Sequence, residues 1–416
     1  MKQIHSRDIF YIIRDVLRCL DPRVMNHGGR TAYILYKMLQ DTGKYEDFEL
    51  ADLCMIATLH DIGAYKTDYM QDQLRYESRD YMPHSIYGYL FILYLTPFKD
   101  KAKIILYHHT DYNKLPKANY PYMDVIECLN VAEKMDIYSN ALGSKFDYMM
   151  FQKMSGTRLS PKALELLYAA EKKYGVFDKI SSGEYKNELS RLFDNLIFTN
   201  EEKRDFLLGL MYCVGFRSEY TMSDMVTCVR ICEEIGAKML LSKEESEQLF
   251  YAAVLHDAGM AGVPKEIIEA PRKLTVEEIQ NLRKHVLTTE SILRGRVEQE
   301  VIDIISAHHE RGDGSGYPRR LKDSQMNRSM KILQVADTIT GLTSPRSYRE
   351  PRNKTEVIAI LNEEAQKGRL SSEVVRTFVS HYDAIMEDVR ERTKETLSTY
   401  ERLKENYELT YKQINK

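Results

Sequence analysis

Apolar residues recur three or four positions apart over most of this 416-residue chain. TAYILYKML (31–39), SIYGYLFILYL (85–95), KALELLYAAEKKYG (162–175) and SEQLFYAAVL (246–255) each gather their large apolar side chains on one stripe of a helix. No convincing run alternates apolar and polar residues as a half-buried strand would, so the pattern predicts an all-α fold. The longest apolar runs, such as Tyr89–Leu95, fall far short of a membrane span. The N-terminal MKQIHSRDIFYIIRDVLRCLDPR has neither an uninterrupted apolar core nor a small-residue cleavage site, so a cytoplasmic protein without a membrane span is expected.

The apolar helices end in the same way twice. MIATLHDIGAY and YAAVLHDAGMAG each close on a His-Asp pair, His60-Asp61 and His256-Asp257. A single histidine follows each pair, His84 after 24 residues and His285 after 29. A His-His pair then ends another apolar helix, His108-His109 in IILYHHTD and His308-His309 in IISAHHERGD. Further on, each half has an acid in a Val-Ala-acid context, Glu133 in LNVAEKMD and Asp337 in LQVADTIT. Upstream, His27 precedes His60 by 33 residues, and Asp224 holds the matching place 32 before His256. One helical histidine is ordinarily a structural side chain. Here nine of 11 histidines fall in the two matched series, which excludes coincidence and leaves only His5 and His381 outside. The halves also close alike, on RLSPKALELL from Arg158 and RLSSEVVRTF from Arg369.

These landmarks place a first domain at 1–180, a helical linker at 181–215, a second domain at 216–390 and a charged amphipathic helix at 391–416. Leu397, Tyr400, Leu403, Tyr407 and Tyr411 share one side of that helix. They suit packing back on the chain as well as a homodimer or a partner protein, because five apolar residues do not make a sustained heptad seam.

Charge adds little. With 59 basic against 62 acidic residues the formal net charge is −3, which gives no bulk reason to expect binding to DNA or to a membrane surface. The six cysteines contain no C-x-x-C pair and read as buried thiols.

Imidazoles mixed with carboxylates suit iron or manganese, and also zinc, whereas an all-oxygen set would suit magnesium or calcium. Each half offers more such groups than one ion needs, and an aspartate directly after a histidine is able to bridge two. A bridged pair about 3.5 to 4 Å apart activates hydroxide for in-line attack on phosphorus, the chemistry of phosphoester hydrolysis.

In this order and spacing the residues resemble the HD superfamily of metal-dependent phosphohydrolases. The second half resembles its HD-GYP branch through HHERGDGSGYP (His308–Pro318), GVPKEIIEAPRKLTVEE and VADTITGLTSPRSYR. The resemblance spans residues 220–382 strongly and 25–175 through ligand order alone. It implies two tandem helical HD-type domains, the second an HD-GYP domain. The implied activity is a phosphodiesterase opening a cyclic dinucleotide, cyclic di-GMP or 3′,3′-cyclic GMP-AMP.

Carried over residue by residue, the resemblance makes Asp224, His256, Asp257, His285, His308, His309 and Asp337 the metal ligands of the second half. His256 and Asp257 lie at the catalytic centre, with Asp257 as bridge. Arg346, Arg349 and Tyr317 would contact substrate. In the first half the ligand set is His27, His60, Asp61, His84, His108, His109 and Glu133, with no GYP and no arginines matching Arg346 and Arg349. Two transition-metal ions per site are implied, iron or manganese ahead of zinc, magnesium or nickel.

Three departures stand out: Asp224 replaces the family's first histidine, Met260 its HDxGK lysine, and Thr340 the aspartate three beyond the last ligand. The alternatives to a phosphodiesterase are a non-catalytic nucleotide or metal sensor, and a nucleotide phosphohydrolase acting through the first domain.

Overall fold

A computed structural model describes residues 4–66, 82–117, 119–215, 219–345 and 350–414. Among these residues the chain is all-α, helices and short 3-10 turns with two isolated β-bridges and no strand. No helix among them is long and apolar enough to cross a membrane. Packing gathers the chain into two compact units, one of residues 21–209 with 402–416, the other of residues 1–20 with 210–401.

In the first of these, helix Pro22–Leu39 starts at an Asp21 N-cap with proline at N1, and carries His27 on its buried face. It packs on helix Asp47–Thr58, whose start is fixed by a capping box between Glu46 and Glu49, and on helix Met123–Leu142. Helix Met82–Leu95 lies on the 3-10 turn Ile62–Lys66 that follows His60-Asp61, and the short helix Lys103–Tyr107 delivers His108-His109.

The other unit repeats this plan. Helix Glu219–Lys238 packs on helices Lys243–Leu255 and Arg328–Thr343. Helix Val276–Leu293 lies on the 3-10 turn Ala258–Gly262, and helix Gln299–Ser306 delivers His308-His309. Capping boxes at Ser242/Glu245 and Thr275/Glu278 fix where the His-Asp helix and the single-histidine helix begin. The close approach is the same in both units. A Cβ on Gly63 would meet the carbonyl oxygen of His84, and one on Gly259 the carbonyl oxygen of His285, far inside van der Waals contact. Glycine at the second position after each His-Asp pair is what lets the single-histidine helix approach the turn.

Three features differ from those expected. The segment 181–215 is not a bare linker. Tyr185, Leu189, Leu192 and Phe193 of helix Tyr185–Phe193 are buried, and the helix packs on Asp47–Thr58 and Pro22–Leu39, with Glu188 accepting from Tyr33 Oη and pairing with Lys37 Nζ at 2.7 Å. The N-terminal helix Ser6–Leu20 belongs with the second-half unit, because it packs on turn Ala258–Gly262 and its Asp15 pairs with Arg296 at 2.5 Å. The final helix is longer than expected, Tyr382–Ile414, and its end packs back on the chain: Leu403 is buried, Tyr407 stacks on Tyr87 at 4.4 Å and Asn406 donates to Tyr94 Oη.

The two glycines of NHGGR test this packing directly. A Cβ at Gly28 would strike the backbone of Thr58, whereas one at Gly29 meets nothing within 4 Å. Gly28→Ala should lower stability by about 2 kcal/mol, and Gly29→Ala should raise it by up to about 1 kcal/mol through helix propensity. Denaturant melts of both variants check the pair.

Candidate metal centres

Each expected ligand lies at a helix end or on the buried stripe of a helix, where its partners come from neighbouring elements. In the first half the Asp61 carboxylate is central. Its Oδ2 lies 3.4 Å from His60 Nε2 and 4.0 Å from His27 Nε2, and its Oδ1 lies 3.5 Å from His84 Nε2 and 3.7 Å from His108 Nε2. His109 Nδ1 is 3.1 Å from Glu133 Oε1, and its Nε2 is 2.8 Å from His84 Nε2. The ligand atoms fall into two clusters, Asp61 with His84, His108 and His109, and His27 with His60 and Glu133, each spanning no more than 4.8 Å.

The second half repeats the core of this arrangement. Asp257 Oδ2 lies 3.5 Å from His256 Nε2, and Oδ1 lies 3.4 Å from His285 Nε2 and 3.8 Å from His308 Nε2. His309 Nδ1 is 3.5 Å from Asp337 Oδ2. His285, His308 and His309 form a cluster of the same tightness. Asp224 is half-buried on helix Glu219–Lys238 and does not join that cluster, a difference from the first half, where His27 lies within one. Arg346 and Arg349 lie outside the described residues.

One backbone device orients most of these rings. Nδ1 is paired with the carbonyl three residues back in His60 (Ala57, 2.7 Å), His108 (Ile105, 2.5 Å), His256 (Ala253, 2.8 Å), His285 (Leu282, 2.7 Å) and His308 (Ile305, 2.6 Å). With Nδ1–H donating to the carbonyl, the tautomer is set and the Nε2 lone pair is presented to the site. His27 uses Asp136 instead, at 2.7 Å, and Arg30 grips the same carboxylate with two bonds of 2.6 and 2.9 Å.

The residues fit a cation. His60 Nε2, Asp61 Oδ1, His108 Nε2 and Glu133 Oε2 are buried and have no hydrogen-bond partner, a cost that metal coordination would remove. Burial holds His60 down to about 4 and pushes His84, His109, His308 and His309 below the usual histidine value, which keeps these imidazoles neutral and able to donate a lone pair. Burial likewise pushes Asp337 up to about 6, and an ion beside it would hold it ionised.

The halves differ above the ligands. Asp61 and Glu133 have 11% and 3% of their side chains exposed, whereas Asp257 and Asp337 each have 25%, so the second site is the more open. A built loop edges it. Buried Glu310 accepts from Arg319 N at 2.6 Å and from Leu321 N at 2.9 Å, and Tyr317 N donates to His309 O. Gly316 lies so close to Glu310 and Arg311 that any Cβ would overlap their backbone. The Tyr317 ring thereby rests 4.8 Å from the His309 ring.

One contributor went unnoticed in the sequence, and the role of another was not read from it. Asp136 stands three residues past Glu133, the offset at which Thr340 stands past Asp337, so comparing the halves at that offset would have found it. The RLS repeat was visible, but not what it holds. The carbonyls of Arg158 and Arg369 accept from Tyr112 N and Gly312 N just after each His-His pair, and their guanidinium groups pair with Asp111 at 3.5 Å and Asp313 at 3.2 Å.

Asp136→Asn should leave the part-buried Arg30 without its carboxylate and His27 without its anchor. The expected results are a stability loss of about 3 kcal/mol and metal affinity weakened about 10- to 100-fold at the first site alone, read by denaturant melts and by chelator competition with metal analysis.

The HD domain family matches residues 24–141 and, separately, residues 208–374. A 3′3′-cGAMP-specific phosphodiesterase 1 of Vibrio cholerae is 24% identical over 395 residues, covering 90% of this chain and 91% of that protein. A cyclic di-GMP phosphodiesterase of Thermotoga maritima is 34% identical over 208 residues, 47% of this chain and 54% of that protein, so the chain spans only about half of that relative. The crystal structure of a cyclic GMP-AMP specific phosphodiesterase of V. cholerae, V-cGAP3, aligns over 91% of this chain and 97% of that one, with a TM-score of 0.56 and 15% identity, a likeness of fold. With the family matched once in each half, the chain belongs to the HD domain proteins and carries two such domains in tandem.

Proposed function

We propose that the chain is a metal-dependent phosphodiesterase that opens a 3′,3′-cyclic dinucleotide, cyclic di-GMP or cyclic GMP-AMP, at its second HD domain. The observation that carries this reading is the asymmetry above the ligands: Asp257 and Asp337 are open to a substrate and edged by the Tyr317 loop, whereas Asp61 and Glu133 are closed over. The printed activities of the V. cholerae and T. maritima relatives point the same way.

His256, Asp257, His285, His308, His309 and Asp337 would hold two ions, iron or manganese by the imidazole-rich donor set, with Asp224, outside the tight imidazole cluster, as a further carboxylate available to them. Such ions supply Lewis-acid polarisation of the phosphoryl oxygens and lower the pKa of water. The chain's own part is positional. Carbonyl-bound Nδ1 atoms hold the rings in one orientation, and the anchored loop holds Tyr317 beside His309 to shape the pocket. Hydrolysis then forms one bond from water oxygen to phosphorus and breaks one P–O3′ bond, the proton passing to O3′, which leaves a linear dinucleotide. Met260, where a lysine would face phosphate, predicts slow turnover. The first domain reads as a metal-holding domain without a substrate loop.

Chain purified without oxygen and loaded with ferrous iron or manganese should convert cyclic di-GMP or 3′,3′-cyclic GMP-AMP to linear product, resolved by chromatography. Asp257→Ala should cut the rate by about 100-fold or more. Loss of product with Asp61→Ala instead would move the chemistry to the first domain, and no product from metal-loaded protein would leave a sensor.

A further inference from the structure

We propose that Arg283 and Arg311 form the phosphate-binding pair of the second site, supplying the positive charge that position 260 lacks. This rests on the reading of that site as one for a cyclic dinucleotide, and it names which residues take its phosphates.

Arg283 stands two residues before His285 on helix Val276–Leu293, and its guanidinium carbon lies 4.7 Å from the centre of the Tyr317 ring. That ring lies 4.8 Å from the His309 ring and tilted to it, so Arg283 and Tyr317 form a chain of contacts that ends on an expected metal ligand. Arg311 stands two residues after His309, where its Nη1 donates to the Glu310 carbonyl at 2.9 Å.

Their surroundings distinguish these two from most of the other arginines nearby, exposed Arg320 excepted. Arg319 is neutralised by Glu290 at 3.0 Å and Asp303 at 3.5 Å, Arg369 by Asp313 and Glu364 at 3.2 Å each, and Arg296 by Asp15. Arg283 and Arg311 have no carboxylate partner among the described residues. Two unneutralised guanidinium groups beside a cluster built to hold cations repel what the cluster holds, and an anion lying between them and the metals turns that repulsion into attraction. Phosphate suits them because a guanidinium fork donates two parallel bonds to its oxygens.

The first half provides an internal control. At the positions matching Arg283 and Arg311 it has Met82, two before His84, and Asp111, two after His109. Asp111 pairs with Arg158 and Lys114, so neither position offers a cation there. The half without the substrate loop is also the half without the pair.

Equilibrium dialysis of labelled 3′,3′-cyclic GMP-AMP and cyclic di-GMP against the full, manganese-loaded chain tests this, with initial rates and metal content measured on the same samples. Arg283→Gln and Arg311→Gln should each weaken binding about 10-fold and raise KM more than they lower kcat, with metal content unchanged. Arg283→Lys should recover part of the loss. Adding Met260→Lys to Arg283→Gln should recover affinity as well, because the lost charge is returned to the same phosphate. A double Arg283→Gln, Arg311→Gln variant that binds and turns over as the parent does would overturn the pair and leave the phosphodiesterase standing. A parent chain that binds dinucleotide without turnover, with binding lost in the double variant, would keep the pair and remove the hydrolysis. A parent that binds neither dinucleotide would overturn both.

Discussion

Both candidate sites depend on the carbonyl groups at the C-terminal ends of helices. The last carbonyls of a helix have no intrahelical partner. In Asp47–Thr58, Lys103–Tyr107, Lys243–Leu255 and Gln299–Ser306 the histidine just beyond the end meets one of them through Nδ1. The same bond closes the helix and turns Nε2 inward. An aspartate following directly on that histidine, Asp61 or Asp257, then enters a space already bounded by imidazoles, and a glycine two residues later lets the single-histidine helix come close enough to add His84 or His285. Local hydrogen bonding thus builds most of each site before any ion is considered.

On this shared frame the halves diverge in a correlated way. His27 needs an acceptor to fix its tautomer and has Asp136, which Arg30 keeps ionised. In the second half both members of the pair change, His27 to Asp224 and Asp136 to Thr340, and the Thr340 hydroxyl is buried without a hydrogen-bond partner. A carboxylate at 340 would add negative charge to a half whose first ligand position is already an acid, whereas a hydroxyl adds none. The openness of Asp257 and Asp337, the loop anchored on Glu310 and the unneutralised arginines all occur in that same half.

The all-helical fold was legible because apolar spacing reports helices well, and the shared ligand order of the two halves was legible because ligand spacing survives when packing residues drift. Chain partition was less so. Helix Tyr185–Phe193 has an apolar face like any other, and nothing local says that it covers Asp47–Thr58; the attachment of Ser6–Leu20 to turn Ala258–Gly262 is a contact across more than two hundred residues. Single residues were missed when their type is ordinary. Asp136 looks like a solvated acid until its burial is known, and Arg283 beside Lys284 looks like plain surface until Tyr317 is found beneath it.

That each half offers a frame able to hold metal is tested most directly by anomalous scattering at the manganese edge from crystals of the full chain grown with saturating manganese. The account predicts strong peaks among the imidazoles around Asp61 and among those around Asp257. A map with metal in only one half, or away from both aspartates, would contradict it.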